Sequence, residues 1–251
     1  AFDQRQRLIT DGGGFSAANW RIFADMGWLM LGIPEEHGGL GQGFVETMIV
    51  AEAFGKALAI EPYLATVVLG GGVLRHAASA AQQAKLIPDV VAGKLTLALA
   101  HQEQQARYNL ADIATTAKAD ATVYVIDGEK LVVLGGDSAD KIIVAARTGG
   151  ARTDTAGIGL FLVDASAAGV TRKGYPTQDG LHAADVHGPG VAHLDVVPTS
   201  AQGRDDGRIE PRFRLHRASV PQACARLFDR ILQRASKREV LHHRLHLRLQ
   251  N

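Results

Sequence analysis

The sequence predicts an α+β chain: an N-terminal helical domain, then a small antiparallel β-barrel domain, then an atypical basic C-terminal tail. Three observations point there. Residues 1–94 carry apolar side chains at helical spacing between residues suited to capping. From Leu95 to about Pro198 the pattern switches to period two, in short runs separated by Gly-, Asp- and Ala-rich turns. Residues 201–251 then hold 12 of the 27 Lys and Arg but five of the 26 Asp and Glu, and apolar positions are sparse before Leu227. The division that follows is 1–94, 95–200 and 201–251.

In the helical part, Ser16 is placed to cap a helix whose stripe Trp20, Ile22, Phe23 and Met26 predicts a buried face ending near Gly27. Trp28 to Gly43 must be a loop, because Pro34 and the glycines after Glu35 and Glu36 cannot hold a helix. Phe44, Met48, Ala51 and Gly55 mark the inner face of the next helix. A further helix spans about Leu64 to Ala77, with Gly70, Gly71 and Gly72 inside it. Glycine costs about 1 kcal/mol against alanine in a helix interior, so close packing or a break is expected there. Ser79 caps a fourth helix, kinked at Pro88 and stopped at Gly93.

The β part opens with Leu97–Ala100. A run from Thr122 to Ile126 stops at Asp127-Gly128, a hairpin signal leading into Lys130–Leu134, which stops at Gly135-Gly136. Ile142–Ala146, Gly159–Val163, Val170–Lys173 and Val191–Val197 follow. Short strands at this spacing suggest a barrel or sandwich rather than alternating βα units. A helix over Ala223–Leu249 would place Leu227, Ile231 and Leu232 on one side.

The 251 residues, 46% hydrophobic and 21% charged, fit a soluble globular protein with room for two domains. The single cysteine, Cys224, excludes an internal disulfide and suits a reducing, cytoplasmic compartment. No run approaches the roughly 20 apolar residues of a membrane span. The chain begins without Met, so its N-terminus reads as incomplete. The net charge of +1 conceals an acidic body and a basic tail. A basic tail is one route to nucleic acid, but lysine is scarce and the basic positions follow no facing pattern, so no nucleic-acid partner is expected.

Gly12–Gly14 and Gly38–Gly43 lack the preceding strand and following Gly-Lys-Ser/Thr of a phosphate loop. His242, His243 and His246 lack the intervening Glu or third ligand of a helical metal site, so no metal is expected. Ser138 follows a turn but not a nucleophile elbow, and Glu35-Glu36 reads as a solvated pair. The polar loop His101–Asn109, placed directly after a buried strand, is the candidate binding loop.

Taken together, these stretches resemble the acyl-CoA dehydrogenase family. Gly27–Gly43 is similar to its G-x-x-G-[IV]-P-E-E-[YH]-G-G-x-G signature through Pro34, Glu35, Glu36, Gly38 and Gly39. Tyr124–Lys130 resembles its Y-x-L-N-G-x-K hairpin, and Gly157–Asp164 and Asp179–Val186 resemble later strands. The resemblance covers about Phe15 to Pro198. It implies FAD held between helical and β domains, with Leu99, Ala100, His101, Gln102, Glu103 and Gln104 on one side and Val132, Val133 and Leu134 on the other.

Departures cluster there. Of the family's T-E-P-x-A-G-S-D, only Glu103 and Ala106 remain; Gln102 replaces the flavin-facing Thr, and Tyr108 the substrate-contacting Ser. Val132-Val133-Leu134 replaces W-[IV]-T, removing a stacking surface and a hydrogen bond.

Ala100–Ala117, together with Glu61–Gly72 and Gly174–Leu181, most resembles one branch, the small subunits of two-gene enzymes of the pimeloyl-CoA dehydrogenase small-subunit type. That implies an acyl-CoA substrate, a larger acyl-CoA dehydrogenase subunit as partner, and electron-transfer flavoprotein or another acceptor. The family's catalytic Glu lies in a C-terminal helical domain that has no counterpart here. No catalytic residue is therefore assigned, and residues 201–251 read as an out-of-frame stretch. The expected function is α,β-desaturation of acyl-CoA thioesters by a subunit inactive alone. The alternative is a non-catalytic scaffold for the larger subunit.

Overall fold

The computed structural model describes residues 2–188 apart from 12 and 122, together with 191–193 and 196–197. Both the basic tail and the His242–His246 cluster lie outside the described residues.

Five α-helices come first: α1 (Phe2–Asp11), α2 (Ala17–Asp25), α3 (Phe44–Ala57), α4 (Gly71–Ala77) and α5 (Ala80–Val91). Ser16 caps α2 as expected, its hydroxyl accepting from the Asn19 amide at 3.2 Å. Ser79 caps α5 in a reciprocal box with Gln82, and Pro88 sits inside that helix. Trp28–Met30 and Glu35–His37 form single 3-10 turns within the Gly- and Pro-rich loop.

Two expected faces turn out differently. On α2 the buried residues are Trp20 and Ala24, while Ile22 and Met26 are 51% and 57% exposed. On α3 no residue is fully buried, and Met48, Ala51 and Gly55 face outward. Its packing rests instead on half-buried Phe54, stacked 4.7 Å from Phe23 and edge-on to Tyr63 at 5.1 Å. The i, i+3, i+4 spacing located a helix, but aromatic contacts rather than the aliphatic stripe chose its inner side.

The long helix expected over Leu64 to Ala77 is divided. Leu64–Gly70 is π-helical, and α4 begins at Gly71. Close packing forces the glycine: a Cβ at Gly70 would stand 2.5 Å from the Leu97 Cβ. The same segment supplies Thr66, whose hydroxyl donates to the Leu97 carbonyl at 3.2 Å and accepts from the Leu97 amide at 3.1 Å.

Among the described residues ten strands follow: β1 (Leu97–Ala100), β2 (Thr116–Asp120), β3 (Val123–Asp127), β4 (Glu129–Leu134), β5 (Lys141–Arg147), β6 (Ile158–Asp164), β7 (Thr171–Pro176), β8 (His182–His187), β9 (Val191–His193) and β10 (Val196–Val197). They form two sheets and no closed barrel among the described residues. The larger runs β10-β6-β5-β2-β3-β9 with β1 also on β5; the smaller is β4-β8-β7. Nor is the pairing wholly antiparallel, since β1 and β2 both lie parallel to β5.

The hairpin expected at Asp127-Gly128 is a crossover instead. β3 pairs with β2 and β9, whereas β4 pairs with β8 in the other sheet. Gly128 has φ 156°, and a Cβ there would meet the Thr115 Oγ1 at 2.5 Å. The turn dipeptide thus marks a tight corner between sheets.

The molecule is layered. Leu97 and Leu99 of β1, with Ile143, Leu160 and Leu162, pack against Leu74, Ile87 and Val90 of the helices. Ala98 and Ala100 point the other way, joining Ile142, Phe161, Val133 and Ala184 between the sheets. Burial on both faces explains why β1 reads as a continuous apolar run.

Candidate flavin edge

The two stretches singled out for the flavin are brought together. The Leu131 amide donates to the Gln102 carbonyl at 2.9 Å, seating the loop after β1 on β4. The register of β4 against β8 shifts between Lys130 and Val133. Val132 there adopts φ 51° and is 43% exposed, and its amide donates to Asp185 at 3.2 Å. A left-handed β-branched residue is costly, and such bulges re-aim side chains next to sites.

Beneath this seam lies a buried ion pair. Lys130 Nζ meets Glu103 Oε1 at 2.6 Å, with the two side chains 2% and 4% exposed. Glu103 also accepts from the Thr115 amide at 3.1 Å, the Ala114 amide at 2.7 Å and Gln105 Nε2 at 2.7 Å. Burial alone would raise the Glu103 carboxyl. Lys130 and the hydrogen bonds outweigh burial and hold it at about 2. Burial conversely lowers Lys130 against the opposing pull of Glu103.

Arg147 ties down the far end of the loop. Its guanidinium donates to six backbone carbonyls: Ala111, Ile113, Gly149, Arg152, Asp154 and Ala156. Neither anchor was assigned a role in the sequence. A lysine after a turn glycine reads as exposed, and an arginine at a strand end likewise.

Of the residues assigned to the cofactor, His101, Gln102, Gln104, Val132 and Leu134 reach the surface wholly or partly. Leu99, Ala100, Glu103 and Val133 are buried, so their side chains shape the edge from below. Tyr108 is 99% exposed and touches no wall in this chain. His101 Nδ1 is sealed from solvent, and burial disfavours the charged imidazolium against the opposing hydrogen bond of the Leu99 backbone. The exposed amides of Gln102 and Gln104 beside exposed Val132 suit a flat ring with a polar edge, so these residues fit a flavin.

Next to Leu134 and Gly135 a narrow cleft runs between helices and sheets, lined also by Glu61, Ala65, Ser138 and His182. His182 closes it, its Nδ1 2.5 Å from Asp137 and its Nε2 donating to the Ile9 carbonyl at 2.8 Å. Helix α1 is thereby pinned to the smaller sheet.

A helical unit backed by two sheets is a fold this chain shares with solved acyl-CoA dehydrogenases. A steroid acyl-CoA dehydrogenase, Tcur3481-Tcur3483, superposes with a TM-score of 0.70 at 28% identity, over 78% of this chain and 52% of that one. The ChsE4-ChsE5 complex of Mycobacterium tuberculosis gives 0.69 at 26%, over 80% and 52%. Residues 4–94 match the acyl-CoA dehydrogenase N-terminal domain and 98–190 the middle domain, so the chain belongs to the acyl-CoA dehydrogenase family. Acyl-CoA dehydrogenase FadE29 of Mycobacterium tuberculosis is 31% identical over 182 residues, 72% of this chain and 46% of that protein. The chain thus spans about half the length of the relatives it matches. No helix among the described residues is long and apolar enough to cross a membrane.

Proposed function

We propose that this chain is one part of a FAD-dependent acyl-CoA dehydrogenase, inactive alone and completed by a larger acyl-CoA dehydrogenase subunit. The observation that carries the reading is family membership over residues 4–190 in a chain half the length of its relatives. The domain division at residue 95, the cytoplasmic setting and an external acceptor such as electron-transfer flavoprotein belong to the same reading. Two of its structural relatives are titled as pairs of gene products.

FAD, when bound, accepts the hydride that leaves the β-carbon of the acyl thioester. The residues of this chain bind and orient. Gln102, Gln104 and Val132 offer the exposed edge, and Leu134 borders the cleft beside it. Glu103 is not free to take the α-proton, because Lys130, Gln105 and two backbone amides already occupy it. The base must come from outside the described residues, and Tyr108 needs a second surface before it can contact substrate. The exposed Ile22, Met26, Met48 and Ile49 on α2 and α3 are consistent with a missing cover.

A second reading is a non-catalytic scaffold. Replacement of the flavin-stacking Trp by Val132 favours it. Flavin content separates the two: a colourless assembly with the larger subunit, lacking one flavin per site, supports the scaffold and rejects the shared site.

A further inference from the structure

Three acids are buried among the described residues: Glu61, Glu103 and Asp112. Glu103 is paired with Lys130, and Asp112 with Arg152. Glu61, 6% exposed, has no such cation among the described residues. Its Oε1 accepts from Asn19 Nδ2 at 2.9 Å, and its Oε2 from the Ile60 amide at 3.1 Å. Charged side chains are rarely buried without an opposite charge, and two neutral amides leave this one uncompensated.

Glu61 borders a groove of about 470 Å³ between α1, α2 and residues 57–61. Sites for small molecules fall in the range of roughly 300–1,000 Å³. Leu8, Phe23 and Ile60 make the groove apolar, and Gln4 and Asn19 add side-chain amides. Arg5, the other charged residue that lines it, is committed elsewhere. Its guanidinium donates to the Leu58 carbonyl at 2.9 Å and the Asp179 carbonyl at 3.1 Å. The charge left for a ligand to meet is therefore negative. An ammonium group carries three donors and no acceptor, which suits a carboxylate flanked by amide oxygens.

We infer that this groove is a binding site for a small organic cation, a primary alkylammonium. Its head group compensates Glu61, and its chain lies along Leu8, Phe23 and Ile60. Glu61 also lines the cleft beside Leu134, but the inference does not rest on the flavin reading, and its failure leaves that reading untouched.

The test uses the isotope-labelled full chain and n-butylammonium chloride as the probe, with sodium chloride holding the ionic strength constant. Binding is read from the resonances of the Asn19 side-chain amide and the Ile60 backbone amide, both of which donate to Glu61. Saturable shifts at both are expected. The neutral probe n-butanol should bind roughly tenfold more weakly or worse, because a charge-assisted hydrogen bond is lost. Glu61→Gln should weaken n-butylammonium binding by a similar factor. Leu8→Trp, which fills the groove and leaves the carboxylate in place, should abolish saturation. Equal affinity for the two probes overturns the inference, as does wild-type affinity in Glu61→Gln. Absent saturation in the wild-type chain, or shifts centred on Leu134 and Gly135 instead, also overturns it. If Glu61→Gln fails to fold, the two probes and Leu8→Trp decide the matter.

Discussion

Lys130 and Glu103 hold each other at 2.6 Å in a place where neither charge could survive alone. Removing one partner leaves an uncompensated buried charge, so Lys130→Met should cost about 3–5 kcal/mol in urea unfolding. The pH dependence follows from Glu103. Its folded-state carboxyl lies at about 2, below its ordinary value of 4.5. A depressed carboxyl contributes stability that is present above the unfolded value and is lost as pH falls toward the folded one. Melting temperature should therefore decline between pH 4.5 and about 2, and Glu103→Gln should flatten that decline. Arg147 makes a parallel case. Lysine cannot spread donors over six carbonyls, so Arg147→Lys should lower stability by about 2–4 kcal/mol in the same measurement. The sequence placed Glu103 at the site through its motif context. It could not reveal the pair, because a buried charge is legible only when its partner, 27 residues away, is known to be adjacent.

At the scale of elements, caps and breaks were readable because their causes are local. Ser16 and Ser79 each satisfy an amide three residues on, and the glycines after Leu69 broke the expected helix where it meets β1. Gly70→Val should push the π-helical segment off β1 and cost roughly 1–3 kcal/mol by overpacking against Leu97. Hydrogen exchange at the Leu97 amide should accelerate in that variant, because its bond to Thr66 depends on the same approach. Pairing partners were not readable. Asp127-Gly128 looks the same whether the next strand folds back or crosses to another sheet, and the choice is made by Val186 and His187 of β8, far along the chain. The weakly patterned strand β2, Thr116–Asp120, escaped notice because its residues are mostly exposed and its alternation is slight.

At the scale of the whole molecule, the helical part leaves several large apolar side chains exposed. Ile22, Met26, Met48, Ile49 and Leu58, on or next to α2 and α3, are between 40% and 58% exposed. Of these, the sequence placed Ile22, Met26 and Met48 on inner faces. The candidate site has the same character. Val132 on the bulged strand and Tyr108 in the loop are 43% and 99% exposed. On the proposed reading, a flavin site is shared between this chain and a larger subunit. Its most direct test is the flavin content of the full chain purified alone and again with that subunit, read with acyl-CoA oxidation by an artificial electron acceptor. The shared site predicts a colourless, inactive single chain and a yellow assembly that oxidises the thioester. A single chain that retains flavin and turns over acyl-CoA equally well with or without the partner would contradict it.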